Sequence, residues 1–418
     1  MKQTESSVSS TESSTVRDRA AGLLLGILLV LARPLSGQAG KGVEVWGEGW
    51  YQAAAADAAA SPWSSFGVAQ EGGFSLNARS PRGLEALVDI VVPLDVDREI
   101  TPEALAAQLY VRASPAPGVS VAAGRQRLNW GTARIFSPID TLEIRANPLD
   151  LRPFLPGLAG LKVDVFPNES FGLSLVALPA SDIRWSRAAV RVELLLEGVG
   201  LDLGFGLVKY GDPGLSDRVA LLGDGAWSIG PLVLYEEIQL RWGRSSGYLF
   251  PGMLAVEDLG GAGEPVVRAA AGVTLPVDLG LTRPQTLLVE YFFNGDGLTP
   301  DEARTFASRY VAWQGAGAPA GAALPGAFAS LGGLRRHYAA AAFRDIALDR
   351  FLLLGVTAIY GIDSMLGWLA VELEWEVAQG TSFGLRCETG HAFRPDEPTD
   401  LLLIPFRNRI TLSVTTGY

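Results

Sequence analysis

One cysteine, Cys387, stands in 418 residues. A lone thiol cannot close an intramolecular disulfide, and no zinc cluster can be built on thiolates. Charge is scarce as well: 19% of residues are Asp, Glu, Lys or Arg, against 48% hydrophobic. Long apolar runs are nevertheless missing. The one stretch that resembles a membrane helix is Ala20–Ala32. At ~1.5 Å per residue it reaches roughly 20 Å, short of the ~30 Å hydrocarbon core. The formal charge is −11, so there is no basic footprint for nucleic acid.

Catalytic signatures are sparse too. No Gly-Lys-Ser loop is present to cradle a phosphate. Gly243-Arg244-Ser245-Ser246-Gly247 matches the Gly-x-Ser-x-Gly spacing, but Tyr248-Leu249-Phe250-Pro251 follows where that chemistry needs a helix. His337 and His391 sit in strand-like sequence, and no motif ties either to a serine. Asn294-Gly295-Asp296-Gly297, beside Asp301 and Glu302, offers oxygen ligands but lacks the spacing of a calcium loop. No enzyme, cofactor or metal site is expected.

What the chain has is alternation. Segments of about ten residues carry apolar side chains at every second position, and Gly, Pro, Asp and Asn clusters separate them. Ala188, Val190, Val192, Leu194 and Leu196 oppose Arg191, Glu193 and Glu197. Val199-Gly200 then turns the chain into Leu201, Leu203, Phe205 and Leu207. Leu369, Val371, Leu373, Trp375 and Val377 oppose Glu372, Glu374 and Glu376. Phe383 and Leu385 oppose Arg386 and Glu388, and Leu287, Val289, Tyr291 and Phe293 oppose Glu290. One phase stays nearly free of charge throughout. About seventeen such segments run without a domain break, too many for one soluble sandwich. Strands of this length suit a tilted crossing of a bilayer, where an unpaired edge leaves costly unsatisfied backbone groups.

Three stretches interrupt the rhythm. Ala-rich Tyr51–Ser65 reads as a short helix or a mobile loop, and Trp130–Gly160 as a long irregular connection. Within Gly295–Gly333, Thr299-Pro300-Asp301-Glu302 has the capping-box spacing with Pro at the first helical position. A helix is expected there from about Pro300 to Trp313.

The last strand places Ile410, Leu412, Val414, Thr416 and Tyr418 on one face, and Arg409, Thr411, Ser413 and Thr415 on the other. It resembles the closing strand of bacterial outer-membrane barrels, whose final aromatic residue the barrel assembly machinery recognises. Gly124-Arg125-Gln126…Trp130-Gly131…Phe136-Ser137-Pro138-Ile139-Asp140 resembles a signature of porin-like outer-membrane proteins, distantly like alginate-export channels. These resemblances imply an all-β transmembrane antiparallel β-barrel of about 16 strands (14–18). Its partners would be outer-membrane lipid, the assembly machinery through Tyr418, and a small polar or amphipathic solute passing through the lumen. A barrel scaffold whose long loops bind a partner or surface polysaccharide is the alternative. The residues expected to line the pore are Arg125, Arg127, Arg191, Glu193, Glu290, Glu372, Glu374, Glu376, Arg386 and Glu388, with Arg125 and Arg127 as counter-charges to the glutamates.

Residues 1–39 read as a signal peptide and 40–418 as the barrel. Arg17 and Arg19 precede the apolar run, and the small residues Gly37 and Ala39 follow it. N-terminal sequencing of membrane-derived protein is expected to begin at Gly40. Retention of Ala20–Ala32 in that protein would contradict the assignment.

Overall fold

The structure is a computed structural model that describes residues 44–58, 66–81, 83–93, 106–140, 142, 157–212, 215–242, 264–281, 284–315, 335–393 and 406–417. The first six strands are β1 (Glu44–Ala58), β2 (Phe66–Arg79), β3 (Leu84–Pro93), β4 (Ala106–Ala116), β5 (Val119–Gln126) and β6 (Leu158–Asn168). Next come β7 (Phe171–Leu178), β8 (Arg187–Leu196), β9 (Leu201–Asp212), β10 (Leu215–Ile229), β11 (Leu232–Trp242) and β12 (Pro265–Val277). The last six are β13 (Gln285–Asn294), β14 (His337–Ala347), β15 (Leu352–Gly361), β16 (Leu366–Ala378), β17 (Thr381–Ala392) and β18 (Phe406–Gly417). One helix, α1 (Pro300–Gly315), lies between β13 and β14.

Every strand pairs antiparallel with its sequence neighbours, and β1 also pairs with β18 from Glu48↔Gly417 to Ala58↔Phe406. The sheet is therefore an 18-stranded closed barrel with no free edge among the described strands. That exceeds the central expectation of 16. One source of the difference is Tyr51–Ala58, read from sequence as helix or loop but observed as the far half of β1. Alanine has little intrinsic preference for strands. Here Ala53–Ala56 pair with β18 on one side and with Val68, Ala69 and Gln70 of β2 on the other, and that pairing overrides the local tendency. The remainder of that stretch, 59–65, lies outside the described residues.

Antiparallel order puts both barrel termini at one end. The connections at that end are short, with 278–284 the longest. At the opposite end lie the long ones, 94–105, 127–157, 243–264, 295–336 and 393–405. Short turns on one rim and long loops on the other are the asymmetry of outer-membrane barrels.

The outward face is the apolar phase read from sequence. Phe205, Leu207, Leu221, Ile238, Val289, Leu369, Leu385, Ile410 and Leu412 all point away from the lumen and are exposed. Aromatic residues bracket this band. Phe171, Trp227, Trp375 and Phe383 lie toward the short-turn end. Trp242, Phe293, Tyr360 and Phe393 lie toward the loop end, where Tyr360 and Phe393 pack ring to ring at 6.2 Å. Such girdles sit where apolar body and polar tip meet headgroup and water. His337 and His391 join the loop-end girdle, with His337 Nδ1 2.6 Å from the Tyr291 hydroxyl and His391 edge-on to Phe393. Glu236, between Leu234 and Ile238, breaks the outward apolar pattern of β11.

Closure at the β1–β18 seam makes a contrast test. Leu412→Arg puts a cation on the lipid-facing phase, at a cost of ~2–4 kcal/mol near mid-bilayer. Ser413→Arg puts the same cation one residue along, on the inner phase. Leu412→Arg is expected to reduce the folded, heat-modifiable band on gels, with Ser413→Arg close to wild type. Equal behaviour of the two would contradict the facing.

Candidate functional site

The inner wall is polar over part of its circumference and apolar over the rest. Val176 and Leu178 of β7, Ala189 of β8, Val208 of β9, and Ala220 and Leu222 of β10 all face inward and are buried. In a water-filled lumen this apolar surface would be wet. A segment of chain covers it. After Gln126 the chain does not turn back into a hairpin but runs into the barrel, and Leu128, Trp130, Ile139 and Leu142 pack on that patch. The porin-like signature noted in the sequence is this inserted segment.

A peptide chain without regular structure carries N–H groups that burial leaves without water, so each needs another acceptor. Two wall carboxylates supply them. Glu237 on β11 accepts from Ala133 N–H (2.6 Å), the Ser137 hydroxyl (3.0 Å) and Ile139 N–H (3.5 Å). Glu290 on β13 accepts from Arg134 N–H (2.9 Å), Ile135 N–H (3.2 Å), Phe136 N–H (2.6 Å) and the Tyr235 hydroxyl (2.8 Å). Trp130 N–H closes the segment on itself through Asp140, at 3.2 Å. Phe136 stacks on Phe292 of β13, centroids 4.7 Å apart and planes 10° from parallel, with Tyr338 of β14 at 5.7 Å. Gly131 has to be glycine, because a Cβ there would collide with Glu237 Oε1 and Ser137 Oγ.

A second infolded element sits at the loop end of the same wall. Asp296 pairs with Arg241 of β11, and both are buried. Asp363 accepts from the N–H groups of Arg336 (3.2 Å) and His337 (3.1 Å). Thr299 and Glu302 cap α1 reciprocally, at 3.3 and 2.7 Å, as the sequence predicts. Leu298 before the helix and Ala303 and Phe306 on it are fully buried. The Asp296 carboxylate considered for calcium is thus engaged by an arginine. Gly243–Gly247 lies outside the described residues, as do Tyr418 and residues 1–39.

The opposite wall, β16–β18 and β1–β3, carries the exposed polar side chains. Glu372, Glu374 and Glu376 share the inner phase of β16, and Glu372 keeps half its side chain exposed. Arg386 bonds Glu388 at 3.1 Å and lies 3.9 Å from Glu372, and Arg409 of β18 also grips Glu388. Across the barrel, Arg191 holds Asp224 and Glu193, each at 2.7 Å. At the short-turn mouth, Glu48, Glu374 and Glu376 border a recess of about 300 Å³ beside Arg350.

One predicted counter-charge is elsewhere. Arg125 stands opposite outward-facing Leu109 and Ala159, so it shares the outer phase, and its Nε–H donates to Gly157 O at 2.8 Å. Arg127 follows the end of β5, where its backbone N–H donates to Gln108 at 3.3 Å. The inner wall carries Arg386, Arg409 and Arg191, each paired with a carboxylate. Glu290 faces inward but lies beneath the inserted segment rather than along open lumen. Glu237, Asp224 and Arg409 were not singled out from sequence. Glu237 had a signal: it shares a phase with Gln239 and Arg241, against Leu234, Ile238 and Leu240.

No family model matches the chain, and no curated protein does. Solved structures do. OccAB1 of Acinetobacter baumannii superposes with a TM-score of 0.53 at 11% identity, covering 92% of this chain and 99% of that one. The outer membrane protein OprD of Pseudomonas aeruginosa gives 0.52 at 12% identity, covering 91% and 95%. OpdK of the same organism, solved with vanillate, gives 0.51 at 11% identity, covering 90% and 98%. At such identities the likeness is one of fold: a closed porin-type barrel.

Phe136→Ala removes the stacked ring, a loss of ~3–5 kcal/mol for a buried phenylalanine, and Gly131→Ala forces the clash at Glu237. Both variants are expected to keep barrel mobility on gels while the 127–142 segment becomes protease-sensitive. Wild-type resistance of that segment in both would contradict its docking.

Proposed function

We propose that the protein is an outer-membrane channel through which a small polar solute passes passively, with a preference for cationic or zwitterionic species. The observation that carries this reading is the division of the inner wall. One side is sealed by inserted chain held through buried carboxylates, and the other stays polar along its height. Closure, the lipid-facing band and the two aromatic girdles support the membrane location. Fold likeness to OprD supports the same compartment. OpdK, solved with vanillate, supports a small organic solute as the size class.

The sign of the preference follows from wall charge. Among the described side chains of β16–β18 and β1–β3, the inward carboxylates are Glu44, Glu48, Glu71, Glu85, Asp89, Glu372, Glu374, Glu376 and Glu388. The inward cations are Arg79, Arg386 and Arg409, each paired with Glu85 or Glu388. Rows of carboxylates in a narrow passage favour cations, and no catalytic group is required for that work.

The test is reversal potential in a planar bilayer under a salt gradient. A carboxylate ~10 Å from the ion path contributes ~0.4 kcal/mol through water, on the order of twofold in permeability ratio before salt screening. Changing Glu372, Glu374 and Glu376 together to glutamine is expected to lower the cation preference severalfold. Arg386→Gln with Arg409→Gln is expected to raise it, and Arg125→Gln to leave it unchanged. A wild-type barrel without conductance would replace the channel reading with that of a scaffold whose loops bind a partner.

A further inference from the structure

The inserted segment is held in an unusual way. Five of its N–H donors, those of Ala133, Arg134, Ile135, Phe136 and Ile139, end on two side chains, Glu237 and Glu290. No backbone ladder shares that task. Only an ionised carboxylate offers acceptor sites on both oxygens; once protonated it presents an O–H toward groups that are themselves donors.

We propose that Glu237 and Glu290 form an acid-released latch: protonation frees the 127–142 segment from the wall, and the freed segment obstructs the lumen. Other charged and titratable groups surround the pair. Asp140 lies on the segment near Glu237, and Asp224 stands opposite Glu237 on β10, itself held by Arg191. Tyr235 of β11 donates to Glu290, and Arg134 of the segment and Arg344 of β14 lie near enough to act on that tyrosine. Loss of the Glu237 acceptors would free Ala133, Ser137 and Ile139, and loss of the Glu290 acceptors would free Arg134, Ile135 and Phe136.

The obstruction rests on the channel reading, so the latch is tested by a measurement that needs no conductance. Amide hydrogen exchange is followed by mass spectrometry on the full-length barrel in detergent at pH 7 and pH 4, corrected for the intrinsic pH dependence of exchange. Protection of the 133–139 amides is expected to fall at least tenfold at pH 4, while β7 and β8 peptides stay protected. Glu237→Gln with Glu290→Gln is expected to give the unprotected pattern already at pH 7. If that variant does not fold, the wild-type pH pair decides alone. Unchanged protection at 133–139, or equal loss in β7 and β8, would overturn the latch. In a bilayer, open-state residence is expected to fall severalfold over the same range. Loss of protection at 133–139 without any conductance at either pH would leave the latch standing and sink the channel reading.

Discussion

The β1–β18 seam is the contact on which everything else depends. In hydrocarbon no water is present to bond an unpaired strand edge, and each open backbone group costs several kcal/mol. Eighteen strands in a flat sheet would leave two such edges. Pairing the first strand with the last removes both and creates an inside. Facing, girdles and lumen are consequences of that ring. The even strand number puts both barrel termini with the short turns and leaves the long connections together on the other rim.

The same rule operates a second time inside the barrel. Chain that enters a lumen without forming a strand or helix brings its peptide groups with it, and they have to be bonded there. Glu237 and Glu290 meet that demand from the wall, and the apolar inner faces of β7–β10 give the segment a surface to bury. Charge-assisted hydrogen bonds of this kind contribute about 1.5–3 kcal/mol each. They are directional, so they fix where the segment lies as well as whether it stays. The infolded chain at Asp296 and Arg335–His337 repeats the arrangement, with Arg241 and Asp363 as its anchors. Both insertions crowd one side, and among the described residues Glu372 on the acidic side opposite stays half exposed.

Much of this was legible in the chain because strand alternation is local. The outward phases at Ala188–Leu196, Leu201–Leu207, Leu287–Phe293 and Leu369–Val377 are where period two places them, and the capping box at Thr299 forms as its spacing predicts. Arg125 was misplaced for a physical reason. Val119, Val121 and Ala123 on its phase are more apolar than Ser120, Ala122 and Gly124 on the other, so the alternation points outward and only the charge of Arg125 points to the lumen. At the strand end its guanidinium reaches the Gly157 carbonyl, and the outer phase tolerates it. The anchoring role of Glu237 and Glu290 was out of reach. Their partners lie 98 to 156 residues away, and no local pattern joins a carboxylate to distant peptide N–H groups. The observed 18 strands stand at the top of the expected 14–18.

Closure is tested most directly at the seam itself. Ala53 and Leu412 stand opposite each other on the outer face of β1 and β18. In a Cys387→Ser background, cysteines at 53 and 412 are expected to form an intramolecular disulfide on mild oxidation of the membrane-folded protein. The bond should not form when the chain is oxidised in urea. Failure to cross-link in the folded protein, or cross-linking only between chains, would contradict a barrel closed by its own first and last strands.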